Sequence, residues 1–491
     1  MILAALLFVP LAAGALSAFA RKRAWMEAIN LAGFAIAFVL ALVLAGEVLR
    51  RGTVSLWGDF LYADHLSALV ALLTTSIALV CAVYAVGYLR DDEQSGAIED
   101  EPAAKLRKYY TLTPLFVFSM LAVVLANNLG VMWAAIEATT LASVFLVTFY
   151  GKVTSLEAAW KYAIIGGVGL SMALFGTIVA YYSAQHLAGS GELSSLNWSV
   201  LAGRAAFLDK PAMRLAFVLV LLGYGTKAGL APMHTWKPDA YSEAPVPSAA
   251  ILSSVMLNCA LYGLVRFYVL TSRCLGTEYP GRLLLLFGML SMGISVPFVL
   301  VQKNFRRLLA YHTIDHAGIM VTALGIGGKL ACLGLMLHMT FHTVAKSLLF
   351  LCAGNVYQYF HTDLFHKIKG GVLRVMPLTG AVFLMAILAI IGMPPFSLFQ
   401  SEFVIVRAAF AGGHAAAGGL FILFGTGVFA GALLHVGSLV LGPAGAPVAP
   451  RRPWRDSSLV VLGAVLIAIG FWLPAPLLDL IRGAARIVTG D

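Results

Sequence analysis

Apolar runs of about twenty residues recur along the chain, from "MILAALLFVPLAAGALSAFA" at its start to about position 475. A helix of about that length crosses a hydrocarbon core of about 30 Å, and about fourteen such spans are expected. With 60% of its 491 residues hydrophobic and only 11% charged, most of the chain has lipid as its solvent. The runs are continuous rather than alternating in polarity, which excludes a β-barrel. The expected fold is an all-α integral membrane protein.

Charge sets the expected topology. The first run has no basic residue before it and is followed by "RKR" at Arg21, the reverse of a secretory signal peptide. Basic stretches then fall at every second turn, at Lys105, Lys152, Gln302, His366 and Arg451. The positive-inside rule puts them in the cytoplasm, and an even number of spans leaves both termini outside. The net charge of +10 is largely this signal. A nucleic-acid partner would need a basic face on a soluble domain, and no polar stretch is long enough to fold alone. Cys81, Cys259, Cys274, Cys332 and Cys352 lack the spacing of iron–sulfur, zinc or haem ligands. No phosphate loop or flavin fingerprint is present. The chain is expected to bind no cofactor and no metal.

Two spans are interrupted. "LLGYGTKAGLAPMHTWKPDAYSEAP" breaks near 228–236, at Gly229 and Pro232, and "AILAIIGMPPFSLFQSEFVIV" breaks near 392–398, at Gly392, Pro394 and Pro395. Proline removes a helix donor and clashes with the preceding turn. Non-helical backbone at membrane depth is tolerated only inside protein or against water. Paired interruptions are the mark of inverted repeats. The expected organisation is three helices over 1–90, a five-helix repeat over 110–270, its inverted copy over 282–443, and a last span at 456–476.

Ionisable residues inside apolar sequence are costly and so point to function. Glu137 has apolar sequence on both sides, and Lys227 lies just before the first break. A lysine there is a proton carrier whose charge a nearby carboxylate controls, or half of a static ion pair. His338, His342 and Lys346 recur every fourth residue, along one helix face over about 12 Å of rise. Groups of this kind linked by water pass protons. Glu402 follows the second break. Asp315 and His316 read as an acid–base pair, and His312, near a basic loop, as an access group or a surface residue. The His-x3-His spacing also suits a metal, but no carboxylate or cysteine nearby completes a site, and Lys346 opposes a cation.

These residues resemble a known family: the antiporter-like membrane subunits of respiratory complex I, Mrp-type cation/proton antiporters and membrane-bound hydrogenases. "GYGTKAGLAPMHTWKPDAYSEAPVPSAAILSSVMLN", "NFRRLLAYHTIDHAGIM" and "HMTFHTVAKSLLFLCAGNV" carry the resemblance over roughly 110–440. "MLNCALYGLVRFY" and "GMPPFSLFQSEF" look most like the antiporter-like component F of hydrogenase-4-type or formate hydrogenlyase membrane arms. The resemblance implies fourteen helices with two inverted repeats and a proton path along a central axis. On that path Glu137 would pair with Lys227, His338, His342 and Lys346 would form the middle, and Glu402 would end it. One departure stands out: Asn258 occupies a position where many members carry a further lysine, and an amide cannot take up and release a proton.

The implied function is a proton-translocating subunit of a multi-subunit oxidoreductase in a bacterial or archaeal inner membrane. Its partners would be lipid, other membrane subunits, and peripheral redox subunits carrying iron–sulfur, flavin or nickel–iron sites. Two other readings stay open. One is a cation/proton antiporter subunit or part of a non-redox ion or bicarbonate uptake system. The other is a scaffold whose channel no longer conducts, for which Asn258 is the best argument.

Overall fold

A computed structural model describes residues 1–98, 100–185, 196–368, 371–442 and 447–490. Parts of two polar stretches of the sequence, the Gly/Ser-containing run at about 188–210 and the Pro-rich link "GPAGAPVAPRRP", lie outside them. The order is α1 (Ile2–Phe19), α2 (Arg23–Arg51), a hairpin of β1 (Val54–Leu56) and β2 (Leu61–Ala63), then α3 (His65–Gln94), α4 (Pro102–Leu125), α5 (Leu129–Val147) and α6 (Val153–Ala184). Next come α7 (Trp198–Arg204), α8 (Lys210–Ala228), α9 (Trp236–Glu243), α10 (Val246–Ser253) and α11 (Val255–Leu275). The second half holds α12 (Glu278–Val301), α13 (Phe305–Ile326), α14 (Gly328–Phe360), α15 (Val372–Val375), α16 (Pro377–Ile390), α17 (Ser397–Ala411), α18 (Ala415–Leu441), α19 (Pro453–Phe471) and α20 (Ala475–Thr489).

Among the described residues eleven helical segments are long and apolar enough to cross a membrane, with α10 and α11 forming one of them. Four other helices fall short for physical reasons. Lys227 lowers the apolarity of α8, and α13 carries Arg306, Arg307 and Asp315. The Gly392 break leaves α16 only 14 residues long and α17 only 15.

Both breaks fall where glycine and proline put them. Gly229 caps α8 and Gly392 follows α16, each with φ +71°, a left-handed conformation that glycine adopts without a Cβ clash. Asparagine and aspartate cap other helices in the usual way: Asn128 accepts from the Gly130 and Val131 amides of α5, and Asn304 from the Arg307 amide of α13.

The bundle has a wet-chemistry core and a greasy rim. The most apolar windows of α10–α11 and of α14 are wholly buried, whereas those of α12 and α18 are only 33% and 28% buried. The polar residues of α11 and α14 are therefore hidden by other helices rather than by lipid. Residues from the basic ends meet at one end of the bundle: Arg23 pairs with Glu93, Arg452 with Asp91, and the Tyr150 hydroxyl donates to Asp92 at 2.6 Å.

One element was not foreseen. The last long helix stops at Phe471, ahead of Pro474, rather than running to 476, and α20 follows it. Leu480, Ile481, Ala484, Ala485 and Val488 form its buried stripe, packed against α3 and α14.

Candidate functional site

The first half of the site gathers at the end of α8. Lys227 sits in the last turn of that helix, 1% exposed, and its Nζ donates to Thr140 Oγ1 and Tyr162 Oη, both at 2.8 Å. Ser143 gives its own proton to the Thr139 carbonyl, so Tyr162 donates to Ser143 Oγ at 2.8 Å. Tyr162 is fixed by stacking on Trp236, with ring centroids 4.4 Å apart, and the Trp236 indole donates to the Thr226 carbonyl. The lysine is thus solvated by hydroxyls rather than held by a carboxylate. Glu137 stands one turn from Thr140 on α5, half-buried, and its buried Oε2 has no protein hydrogen-bond partner. The direct Glu137–Lys227 pair expected from the sequence is therefore replaced by a hydroxyl shell. Thr140 lies three residues after Glu137, on the same helix face, and intercepts the ammonium.

The second half is built by α13, α14 and α17. His316, His338 and His342 form a triangle of imidazoles with centroids 5.1, 5.1 and 6.4 Å apart. The Ser401 hydroxyl donates to the Leu398 carbonyl, so it accepts from His338 Nδ1 at 3.0 Å. His338 Nε2 then accepts from His316 Nδ1 at 2.9 Å, an assignment fixed by the network. In that neutral state the free base of the relay is His316 Nε2, which is buried and has no protein partner. His342 and Lys346 continue along α14. Both ring nitrogens of His342 and the Lys346 amine are buried without protein hydrogen bonds. Asn258 donates to Thr343 at 2.7 Å, while its Oδ1 is left unpartnered.

Several expectations change. Asp315 and His316 do not pair. Neighbours on a helix point about 100° apart, so His316 turns to His338 while Asp315 Oδ1 stays without a partner. His312 is no surface residue: it is 0% exposed, with both ring nitrogens unpartnered. Glu402 is half-buried, its carboxylate lying where a Cβ on Gly392 would be. The expectation that no carboxylate completes a metal-like group also fails. The structure brings together His316, His338 and Glu402, not His338 and His342, with one ligand atom from each within 4.8 Å of the others. Two of those three already share a proton, and Lys346 lies one turn beyond His342, whose ring is 5.1 Å from that of His316.

Sequence reading missed Thr140, Tyr162, Ser143, Ser401 and Lys237. Thr140 and Ser401 lie within one turn of Glu137 and Glu402, a signal that could have found them. Tyr162 has no local signal, because only the packing of α6 on α8 brings it to Lys227.

Residues 126–430 match the family described as NADH:quinone oxidoreductase/Mrp antiporter, TM. The chain is 38% identical over 354 residues to the hydrogenase-4 component F homolog of Methylacidiphilum infernorum, covering 72% of this chain and 73% of the relative. In fold it is similar to a chain of the membrane-bound sulfane sulfur reductase, an archaeal respiratory membrane complex, with a TM-score of 0.87 at 22% identity over 99% of this chain and 98% of the other. It is also similar to a chain of the Mrp complex from Dietzia, with a TM-score of 0.84 at 20% identity over 99% and 97%. These last two likenesses concern the fold alone.

Proposed function

Because this chain belongs to the NADH:quinone oxidoreductase/Mrp antiporter membrane family, we propose that it is the proton-translocating, antiporter-like subunit of a membrane-bound oxidoreductase complex of the hydrogenase or NADH:quinone oxidoreductase type. One observation carries the reading. Between the two helix breaks, Asn258, His312, Asp315, His316, His342 and Lys346 all hold buried polar atoms with no protein partner. A buried polar atom left unmade costs about 1–3 kcal/mol. Such a cluster on central helices suits groups that bind and release protons through water, and does not suit a packing device.

In this reading the two breaks divide fourteen crossings into inverted repeats over 110–270 and 282–443, preceded by the helices of 1–90 and followed by α19. The basic loops face the cytoplasm of a bacterial or archaeal cell, and both termini lie outside the inner membrane. Other membrane subunits and peripheral redox subunits complete the complex, and the redox sites are theirs. Reaction at the partner shifts charge at Glu137 and Lys227, and protons then move through His342, Lys346, His316 and His338 toward Glu402. Each proton moved against 100 mV costs about 2.3 kcal/mol, a demand met by changes in the charge state of a few buried groups.

The test is proton uptake by proteoliposomes holding the whole complex. Lys227→Ala is expected to leave electron transfer running without acidification of the lumen, and intact pumping would refute the reading. Sodium-dependent proton exchange without any redox substrate would favour the antiporter alternative.

A further inference from the structure

The path as drawn leaves a gap between Lys227, held in its hydroxyl shell, and His342 and Lys346 on α14. Asn258 lies beside Thr343 of α14 and cannot fill the gap, since an amide does not exchange a proton at neutral pH. Lys237, in the first turn of α9, is a further buried amine beside the end of α8.

Lys237 is 0% exposed. Its ammonium donates to the carbonyl of Ala228, the residue after Lys227 and the last of α8. The break leaves that carbonyl without a helical donor, and a helix C-terminus carries partial negative charge, so the seat suits an ammonium. The side chain crosses directly over Gly229, where a Cβ would overlap its Cδ and Cε. Gly229 is thus required twice, for its positive φ and for the passage of this side chain. Among the described residues no acid pairs with Lys237: Asp239, on the same short helix, is taken by Lys161 and Arg307. Toward α14 the Lys237 Nζ lies 6.0 Å from the centre of the Tyr241 ring, which packs edge-on against Phe350 at 6.0 Å, and the Lys346 Nζ lies 6.0 Å from the centre of that Phe350 ring. The second break repeats the arrangement with the opposite charge, since Gly392 gives its space to the carboxylate of Glu402.

We infer that Lys237 is a second proton-carrying lysine of the path, standing between Lys227 and the His342–Lys346 pair; this rests on the proton-translocation reading above. The step moves one proton. The ammonium of Lys227 gives its proton, directly or through water, to the neutral amine of Lys237, which then gives it to a neutral His342 or Lys346. Only N–H and O–H bonds are made and broken. A lysine serving merely as a cap on α8 would keep its proton throughout.

The test compares Lys237→Met, Lys237→Arg and Lys227→Ala in the purified, assembled complex, measuring protons pumped per redox turnover in proteoliposomes. Arginine retains the charge and can donate to the Ala228 carbonyl, but it does not deprotonate in proteins. The expected result is that both Lys237 variants pump less than about one tenth as many protons per turnover, a loss typical of a removed proton-transfer group. Native pumping by Lys237→Arg would make the residue a cap and overturn the inference, as would native pumping by Lys237→Met. If Lys237→Met does not assemble, Lys237→Arg alone decides. Loss of pumping in Lys227→Ala with native pumping in the Lys237 variants would sink only this inference. Native pumping in all three would sink the proton-translocation reading itself.

Discussion

Two regions of this protein bury charge in opposite ways. At the start of α3, Arg266 reaches Asp64 through two nitrogens, at 2.7 and 2.9 Å, and also donates to Ser67 at 3.0 Å and to Tyr262 at 2.8 Å. The Trp198 ring lies over its guanidinium at 4.0 Å. Asp64 also caps α3 through the Ser67 amide. Inside the bundle His342 and Lys346 are just as buried, yet among the described residues their nitrogens have no hydrogen-bond partner. A fully satisfied pair holds one state and fixes packing. An unsatisfied row has no preferred state of its own, so a small change in a neighbour's charge can decide where a proton sits. In the proton-translocation reading, this difference separates structural charge from functional charge within one helix bundle.

The comparison breaks most visibly at Arg266. Arg266→Met strands the Asp64 carboxylate, and the expected cost is about 3–5 kcal/mol, seen as loss of assembled complex on size exclusion or a large fall in thermal stability. Replacing both partners, as Asp64→Leu with Arg266→Met, is expected to restore most of that stability, because no lone charge remains. Lys346→Met should behave in the reverse way. Removing an unpaired buried charge is expected to leave thermal stability unchanged or raised, while proton translocation falls about a hundredfold.

Smaller effects sharpen the contrast inside the functional row. Tyr162→Phe takes away one of the two acceptors of Lys227 but keeps the ring that stacks on Trp236. It is expected to slow pumping several-fold with a stability change of about 1 kcal/mol. Ser401→Ala removes the acceptor that fixes the His338 tautomer. The expected loss in pumping is only about twofold to threefold, because water can take the place of the hydroxyl.

What the sequence made legible follows from how local each signal is. The apolar runs and the Gly/Pro breaks are properties of a few adjacent residues, so the helical fold and the interruptions at Gly229 and Gly392 were readable. The histidine row on α14 was readable for the same reason, since its members lie one turn apart. Contacts between helices were not. Thr140, one turn from Glu137, could be suspected from its place, but nothing in the sequence signals that the Tyr162 hydroxyl on another helix would also receive Lys227. Nor could spacing show that His338 bonds to His316 on another helix rather than facing His342 alone. Lys237 was hidden differently: "HTWKPDAY" is polar, Pro-containing sequence just past the break, with no apolar run around the lysine to mark it as buried, yet the fold places it in the core. The static pair of Asp64 and Arg266 went unnoticed because its members are 202 residues apart.

The central claim is that the unsatisfied row, not the satisfied pair, carries protons. Its most direct test is the number of protons pumped per redox turnover by the Lys346→Met complex in sealed proteoliposomes, beside the Asp64→Leu/Arg266→Met complex under the same conditions. The account predicts turnover with little or no acidification in the first and a native ratio in the second. A native ratio in Lys346→Met would contradict it.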